Sequence, residues 1–226
     1  MGCLGMYKKY VKRLLDIFIS LIALPFVCLV ILIFAPIIYL TDKGSIFYNA
    51  TRRGMNGKVF KMFKLRSMQV NAPVLKNADG STYSGDDDPR VTKIGRIMRK
   101  LSIDELPQIL NVLIGDMSFV GPRPNLATIA YEDMDEMRKK RLTVRPGITG
   151  YSQAYFRNSI PQEQKLINDC IYVDRISFLF DVKIIIQTVM SVLGSKNINY
   201  QESIDVGSTG TTNQTTDAEK KDEVQV

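Results

Sequence analysis

The sequence predicts a helix-rich α+β domain held at a membrane by one proline-kinked, re-entrant helix. Three observations predict it. Residues 17–40 carry no formal charge, yet contain Pro25 and Pro36 and are basic on both flanks. Asn56-Gly57 stands between two short apolar runs, a strong β-hairpin signal. Downstream, charged amphipathic helical segments, fit to lie at an interface around a small domain, alternate with Gly- and Pro-marked turns. The boundaries fall at 1–44 for the basic N-terminus and membrane helix, 45–200 for the body, and 201–226 for an acidic tail.

The 226 residues, 45% of them hydrophobic, allow one domain with a sizeable core. The net charge of +7 is uneven, because the tail 201–226 carries −4 and residues 1–200 carry +11. A basic body points to phosphate-bearing partners. The chain has no histidine, which excludes Ser-His-Asp triads and histidine zinc sites. Acid–base or nucleophilic chemistry must come from Asp, Glu, Lys, Tyr, Ser or Cys. Cys3, Cys28 and Cys170 have no metal-type spacing and fit small apolar roles in a reducing compartment.

Residues 1–13 are short and basic, with Lys8, Lys9, Lys12 and Arg13. The apolar run that follows is long enough to reach through a bilayer core. It is too long for a signal-peptide apolar region and too uniformly apolar for a soluble helix. Pro25, preceded by Leu24, removes a backbone hydrogen bond inside the run and predicts a kink there. Lys43, Arg52, Arg53, Lys58, Lys61 and Lys64 make the second flank as basic as the first. The positive-inside tendency then keeps both flanks on one side, so re-entry is favoured over a span.

Residues 45–68 read as a hairpin with a type I′ turn, its strands near 46–48 and 59–63. Lys61, Lys64 and Arg66 on the second strand form a basic rim for lipid headgroups or a phosphate. Residues 69–89 read as a loop whose aspartates lack EF-hand spacing and form a solvated acidic turn. Helices are expected near 91–101, 126–144 and 161–173. Residues 177–193, apolar but broken by Asp181, Lys183 and Gln187, fit a core helix or an interfacial one. The tail 201–226, poor in apolar residues, is expected to be disordered.

The chemistry concentrates between Ser102 and Pro124. Ser102-Ile103-Asp104-Glu105 matches a capping box, S-x-x-E, with Pro107 kinking the helix just after it. Arg90, Arg123 and Arg145 each adjoin a proline, which presents their guanidinium forks from a stiff frame. With Arg99 just upstream, they favour a polyphosphate site around Asp104 and Glu105. Carboxylates and phosphates repel, so Mg²⁺ is expected between them, with Asp104 as a ligand. A carboxylate could also attack phosphorus and form an acyl-phosphate.

These segments resemble one family. Residues 90–96, 99–108, 115–124 (Gly-Asp-Met-Ser-Phe-Val-Gly-Pro-Arg-Pro) and 144–150 (Val-Arg-Pro-Gly-Ile-Thr-Gly) are similar to those of the bacterial sugar transferases, the small monotopic phosphoglycosyl transferases. The similarity runs from about Lys8 to about Asn199. It implies transfer of a sugar-1-phosphate from a UDP-sugar to undecaprenyl phosphate, with release of UMP. It implies Asp104 as the nucleophile and Glu105 as its partner in proton handling or metal positioning. Arg99 corresponds to a phosphate contact, and Pro122-Arg123-Pro124 to a motif near the nucleotide; Arg145, Lys64 and Arg66 complete the expected basic lining. The resemblance also implies a monotopic protein of the bacterial inner membrane, its catalytic domain on the cytoplasmic face. There it would contact membrane lipid, and a homo-oligomer and downstream glycosyl transferases are compatible partners. Where the family often has Ser-Pro at the helix break, this chain has Leu24-Pro25.

Two alternatives stay open: a membrane-tethered scaffold for glycan assembly, and a glycosyl transferase that releases UDP. The apolar run argues against a nucleic-acid partner. Asn125, Tyr151, Gln153, Tyr155, Arg157 and Asn158 are candidates for shaping the choice of sugar.

Overall fold

A computed structural model describes residues 3–75, 88–157 and 159–193. The tail, most of the aspartate-rich loop and Asn158 lie outside the described residues. The chain opens with α1 (Cys3–Met6) and a π turn (Tyr7–Val11), which run into the long helix α2 (Lys12–Asp42). Pro25 and Pro36 both lie inside α2, which continues through them. Lys43 ends it in the left-handed conformation, its N–H bonded to the Tyr39 carbonyl at 2.7 Å.

Most of α2 is bare. Phe18, Ile22, Phe26, Leu29, Leu32, Ile33 and Leu40 are exposed, and only Asp16, Ser20, Val27 and Ile38 are buried. It is long and apolar enough to cross a membrane by length and composition. Both of its ends are nonetheless fastened to the same body. Near the start, Arg13 donates to the carbonyls of Val112 (2.5 Å) and Leu113 (2.9 Å), and Asp16 accepts from Ser118 Oγ and Phe119 N, each at 3.1 Å. At the finish, Arg66 pairs with Asp42 and reaches the Ile38 carbonyl, while Val70 N donates to Asp42 at 2.9 Å.

The hairpin forms from β1 (Ala50–Arg53) and β2 (Val59–Met62), antiparallel with Ala50 opposite Met62 and Arg53 opposite Val59. This register leaves a five-residue loop, 54–58, in place of the expected two-residue turn. Asn56 and Gly57 still supply positive φ, 55° and 77°, inside it. Residues 46–48 add no strand, only an isolated bridge between Phe47 and Leu65. A third strand, β4 (Asn125–Leu126), borders β1.

Helix α3 (Lys93–Lys100) is capped by Thr92, whose hydroxyl accepts from Gly95 N at 3.0 Å. Two expectations fail just after it. Ser102 sits in the left-handed region at φ 56° and makes no side-chain cap, so the capping box does not form. Asp104 and Glu105 occupy a 3₁₀ turn, Ile103–Glu105, and α4 (Gln108–Ile114) starts only after Pro107. Proline therefore stands at the helix entrance, where no N–H is needed, and kinks nothing.

Strands β3 (Ser118–Val120) and β5 (Gly147–Thr149) pair in parallel. Beside them, Gly121 and Gly147 let two backbones touch: a Cβ on Gly147 would fall 2.1 Å from Gly121 N. Gly147→Ala is therefore expected to cost about 2–4 kcal/mol, because backbone rather than a flexible side chain must yield. A lower melting temperature in detergent would register it.

Of residues 126–144 only α5 (Glu136–Arg141) is helical. Short α6 (Tyr151–Tyr155) follows β5. Helices α7 (Gln162–Arg175) and α8 (Phe178–Leu193) match expectation closely. Tyr7, Val120, Val144, Ala154, Tyr172, Ile176 and Ile184 form one core cluster; Ala50, Phe60, Met62, Val112 and Met117 form a second beneath the hairpin. The first surrounds a polar knot: Asp181 accepts from Tyr7 and Tyr172, both at 2.7 Å, and from Lys12. On α8, Asp181 and Ile184 are buried, whereas Leu179, Ile186, Val189 and Met190 are exposed. Asp88 is not solvated as the acidic-turn reading required; it is fully buried, forked onto Arg90 at 2.7 and 2.8 Å.

Candidate active site

The dyad is held by backbone rather than by a helix cap. Leu65 N donates to the Asp104 carbonyl at 2.9 Å, which ties the end of the hairpin to the 3₁₀ turn. Asn111 on α4 reinforces this tie. Its Oδ1 accepts from Phe63 N and its Nδ2 donates to the Lys61 carbonyl, both at 2.8 Å, and the residue is fully buried. These bonds set Lys64 over the carboxylates.

Lys64 Nζ lies 3.0 Å from Asp104 Oδ2 and 3.1 Å from Glu105 Oε1. Arg123 Nη2 approaches Glu105 Oε1 at 3.4 Å, a longer contact. Asp104 is only 2% exposed, yet its Oδ2 accepts no hydrogen bond. The lysine is near enough for attraction but not aligned as a donor. A buried carboxylate oxygen with attraction but no aligned donor is costly to maintain. Burial alone would push the Glu105 carboxyl up; Arg123 and Lys64 together outweigh it and hold the group below its ordinary value. Glu105 thus stays ionised at neutral pH.

Beside the dyad lies a shallow cleft, lined by Arg52, Met62, Glu105, Gln108, Arg123, Pro124, Gly147 and Ile148. Asp104, Glu105, Lys64, Arg123 and Pro124 therefore come together as the sequence suggested. Other expected basic residues are engaged elsewhere. Arg66 is held by Asp42 at the end of α2. Arg145 donates through Nε to the Gly115 carbonyl at 2.9 Å, capping the far end of α4 from the dyad. Arg99 donates through Nε to Ser67 Oγ at 2.9 Å. The Pro122 carbonyl accepts from Gly147 N at 3.0 Å, which fastens the Pro122-Arg123-Pro124 segment to β5. Leu24 and Pro25 lie within α2.

Three residues of the site gave no sequence signal of their own: Arg52, Gln108 and Asn111. Gln108, three positions past Glu105, could have been found from the spacing of one helical turn. Among the described residues no group of three His, Cys, Asp or Glu side chains is arranged to hold a metal. Once a substrate phosphate draws Lys64 away, Asp104 Oδ2 fits a single carboxylate ligand for Mg²⁺, which takes its remaining oxygens from phosphate and water.

Behind Arg123 stands a buried ion pair. Arg141 Nη2 reaches Asp169 Oδ2 and the Arg123 carbonyl, both at 2.6 Å. Burial pushes Asp169 up to about 6, and lowers the Arg141 guanidinium, despite the attraction between them. Between the ordinary carboxylate value and about 6 the folded state holds this proton more tightly than the unfolded chain does. The contribution of Asp169 to stability is therefore full below that window and is lost as pH rises through about 6. Thermal melts of wild type and Asp169→Asn across this range check it: the substitution is expected to flatten that slope.

Comparison with known proteins completes the description. The family model for bacterial sugar transferases matches residues 7–195. An uncharacterized sugar transferase, EpsL, of Bacillus subtilis is 41% identical over 83% of this chain and 89% of its own length. The galactosyl transferase CpsE of Streptococcus agalactiae is 40% identical over 80% of this chain, which spans 42% of CpsE. The UDP-glucose:undecaprenyl-phosphate glucose-1-phosphate transferase of Xanthomonas campestris is 37% identical over 84% of this chain and 40% of its own length.

Proposed function

From its membership of the bacterial sugar transferase family, to which this chain belongs, we propose that it transfers a sugar-1-phosphate from a UDP-sugar to undecaprenyl phosphate and releases UMP. The observation that carries the reading is Asp104: a buried carboxylate ion-paired with Lys64 at 3.0 Å, beside a glutamate kept ionised by Arg123 and Lys64. The Xanthomonas relative bears the name of such a reaction.

Asp104 attacks the sugar-bearing phosphorus, and the bond from that phosphorus to the bridging oxygen breaks. UMP leaves with the electron pair. An oxygen of the lipid phosphate then attacks the acyl-phosphate and returns Asp104 as a carboxylate. Lys64 covers Asp104, so a phosphate reaching it takes over the lysine contact. Lys64 and Arg123 then neutralise charge on the leaving phosphate. Asp104, with substrate phosphate oxygens, would hold Mg²⁺, whose chemistry is to offset negative charge on the diphosphate. Because UMP departs before the lipid phosphate reacts, the kinetics are ping-pong.

The same reading puts the chain on the cytoplasmic face of the bacterial inner membrane, with α2 re-entrant. Buried positions recur along α2 from Asp16 to Ile38, and both ends are fastened to one polar body. The fastening of both ends to one body is what supports re-entry over a span. Ser45→Cys, in a chain whose native cysteines are replaced, is expected to be labelled from the same side as the N-terminus; labelling from the opposite side means a span.

The deciding experiment gives the membrane-embedded protein undecaprenyl phosphate, Mg²⁺ and a panel of UDP-sugars. UMP as product, with one sugar, supports the proposal and names the donor. UDP as product favours a second reading, sugar transfer without phosphate, toward which the name of the Streptococcus relative points.

A further inference from the structure

We propose that Arg52 and Arg123 together form a phosphate-ester subsite in the cleft beside the dyad, with Arg52 its fixed member. The inference rests on the functional reading above and adds to it a residue and a ligand position.

Arg52 stands on β1, opposite Phe60 of β2 and Leu126 of β4, so two strands fix its backbone. Its side chain enters the cleft with Glu105, Gln108 and Arg123. Its Nε is buried and has no hydrogen-bond partner. Burial, and then the like charge of Arg123, weaken its hold on its proton. A buried guanidinium with an unused donor beside a second guanidinium is an unfavourable arrangement by itself.

Glu105 relieves it only in part. Glu105 is shared between Lys64 and Arg123, and Asp104 faces Lys64. Three cations therefore surround two carboxylates. An anion with several oxygens would use the free donor and offset the repulsion, and a planar fork suits a phosphate oxygen pair. The two arginines differ in exposure: Arg123 has a side chain 58% exposed, while Arg52 is mostly buried. The geometry suits a buried fork under the phosphate and an exposed one above it.

Phosphate esters reach this cleft from two sources, a nucleotide and a lipid phosphate. The test measures affinity of the full-length protein in detergent for UDP and, separately, for farnesyl phosphate. Arg52→Gln is expected to weaken one of them by about tenfold or more. Loss confined to UDP assigns the subsite to the donor; loss confined to farnesyl phosphate assigns it to the acceptor. Lys58→Gln, which removes an equal charge from an exposed side chain paired with Asp116, is the control and is expected to change neither. If Arg52→Gln does not fold, Arg52→Lys decides: it keeps the charge, loses the fork, and is expected to bind about threefold or more weakly. Wild-type affinity in the folded Arg52 variant, equal weakening by Lys58→Gln, or no binding of either probe to wild type overturns the proposal. The functional reading fails by a different observation, release of UDP, which leaves this binding measurement readable.

Discussion

Asp104→Asn is expected to lower UMP release by roughly a thousandfold or more. The substitution is nearly isosteric. The Asp104 Oδ2 accepts no aligned hydrogen bond, so an amide in its place loses the ion pair with Lys64 but no hydrogen bond, and the carbonyl bond from Leu65 N is untouched. The fold should persist, with a melting temperature near that of wild type. What disappears is the nucleophile, since an amide oxygen does not form a stable acyl-phosphate. Labelled sugar-phosphate should be retained covalently by wild type before lipid phosphate is added, and not by the variant. Turnover within about tenfold of wild type would remove Asp104 from the nucleophile role and would favour a mechanism without a covalent step.

Asn111→Ala is expected to destabilise the protein by about 3–5 kcal/mol, a large effect for one polar side chain. It strands the Phe63 N–H and the Lys61 carbonyl, two backbone groups that Asn111 satisfies at 2.8 Å each inside the protein. Asn111→Asp keeps the acceptor toward Phe63 but sets a carboxylate oxygen against the Lys61 carbonyl, so it should be no better tolerated. The damage extends to chemistry, because Lys64 follows Phe63 directly and reaches both carboxylates from there. Melting temperature and UMP release should fall together in Asn111→Ala. A stable variant with normal turnover would mean that the Leu65–Asp104 backbone bond suffices to hold Lys64.

Both effects trace back to how much of the molecule is legible in one dimension. Periodicity and composition determine elements whose cause is local. The uncharged run became α2, Asn56-Gly57 supplied the positive φ of the hairpin loop, and the apolar segment at 177–193 became α8. The dyad and the Pro122-Arg123-Pro124 segment were legible too, because adjacent residues need no fold to be recognised as a group. Arginine partners were not. Arg66, Arg99 and Arg145 looked alike as cations near the motifs, yet each donates to a different local acceptor. A guanidinium takes whichever oxygens its backbone brings near, and sequence spacing does not specify those.

The capping box at Ser102 failed for a related reason: Leu65 and Lys64 compete for this segment, and the left-handed turn at Ser102 delivers Asp104 to them. By itself, then, the sequence determined a basic body, an apolar helix with two prolines, and the carboxylates that carry the proposed reaction. Only the tertiary structure decided that Asn111 ties the hairpin to α4, that Lys64 covers Asp104, and that Arg52 enters the cleft. Those three depend on contacts between residues about 40 to 70 positions apart. Hydrogen-bond satisfaction in a buried interior selects such contacts, and that selection exists only once the chain has folded.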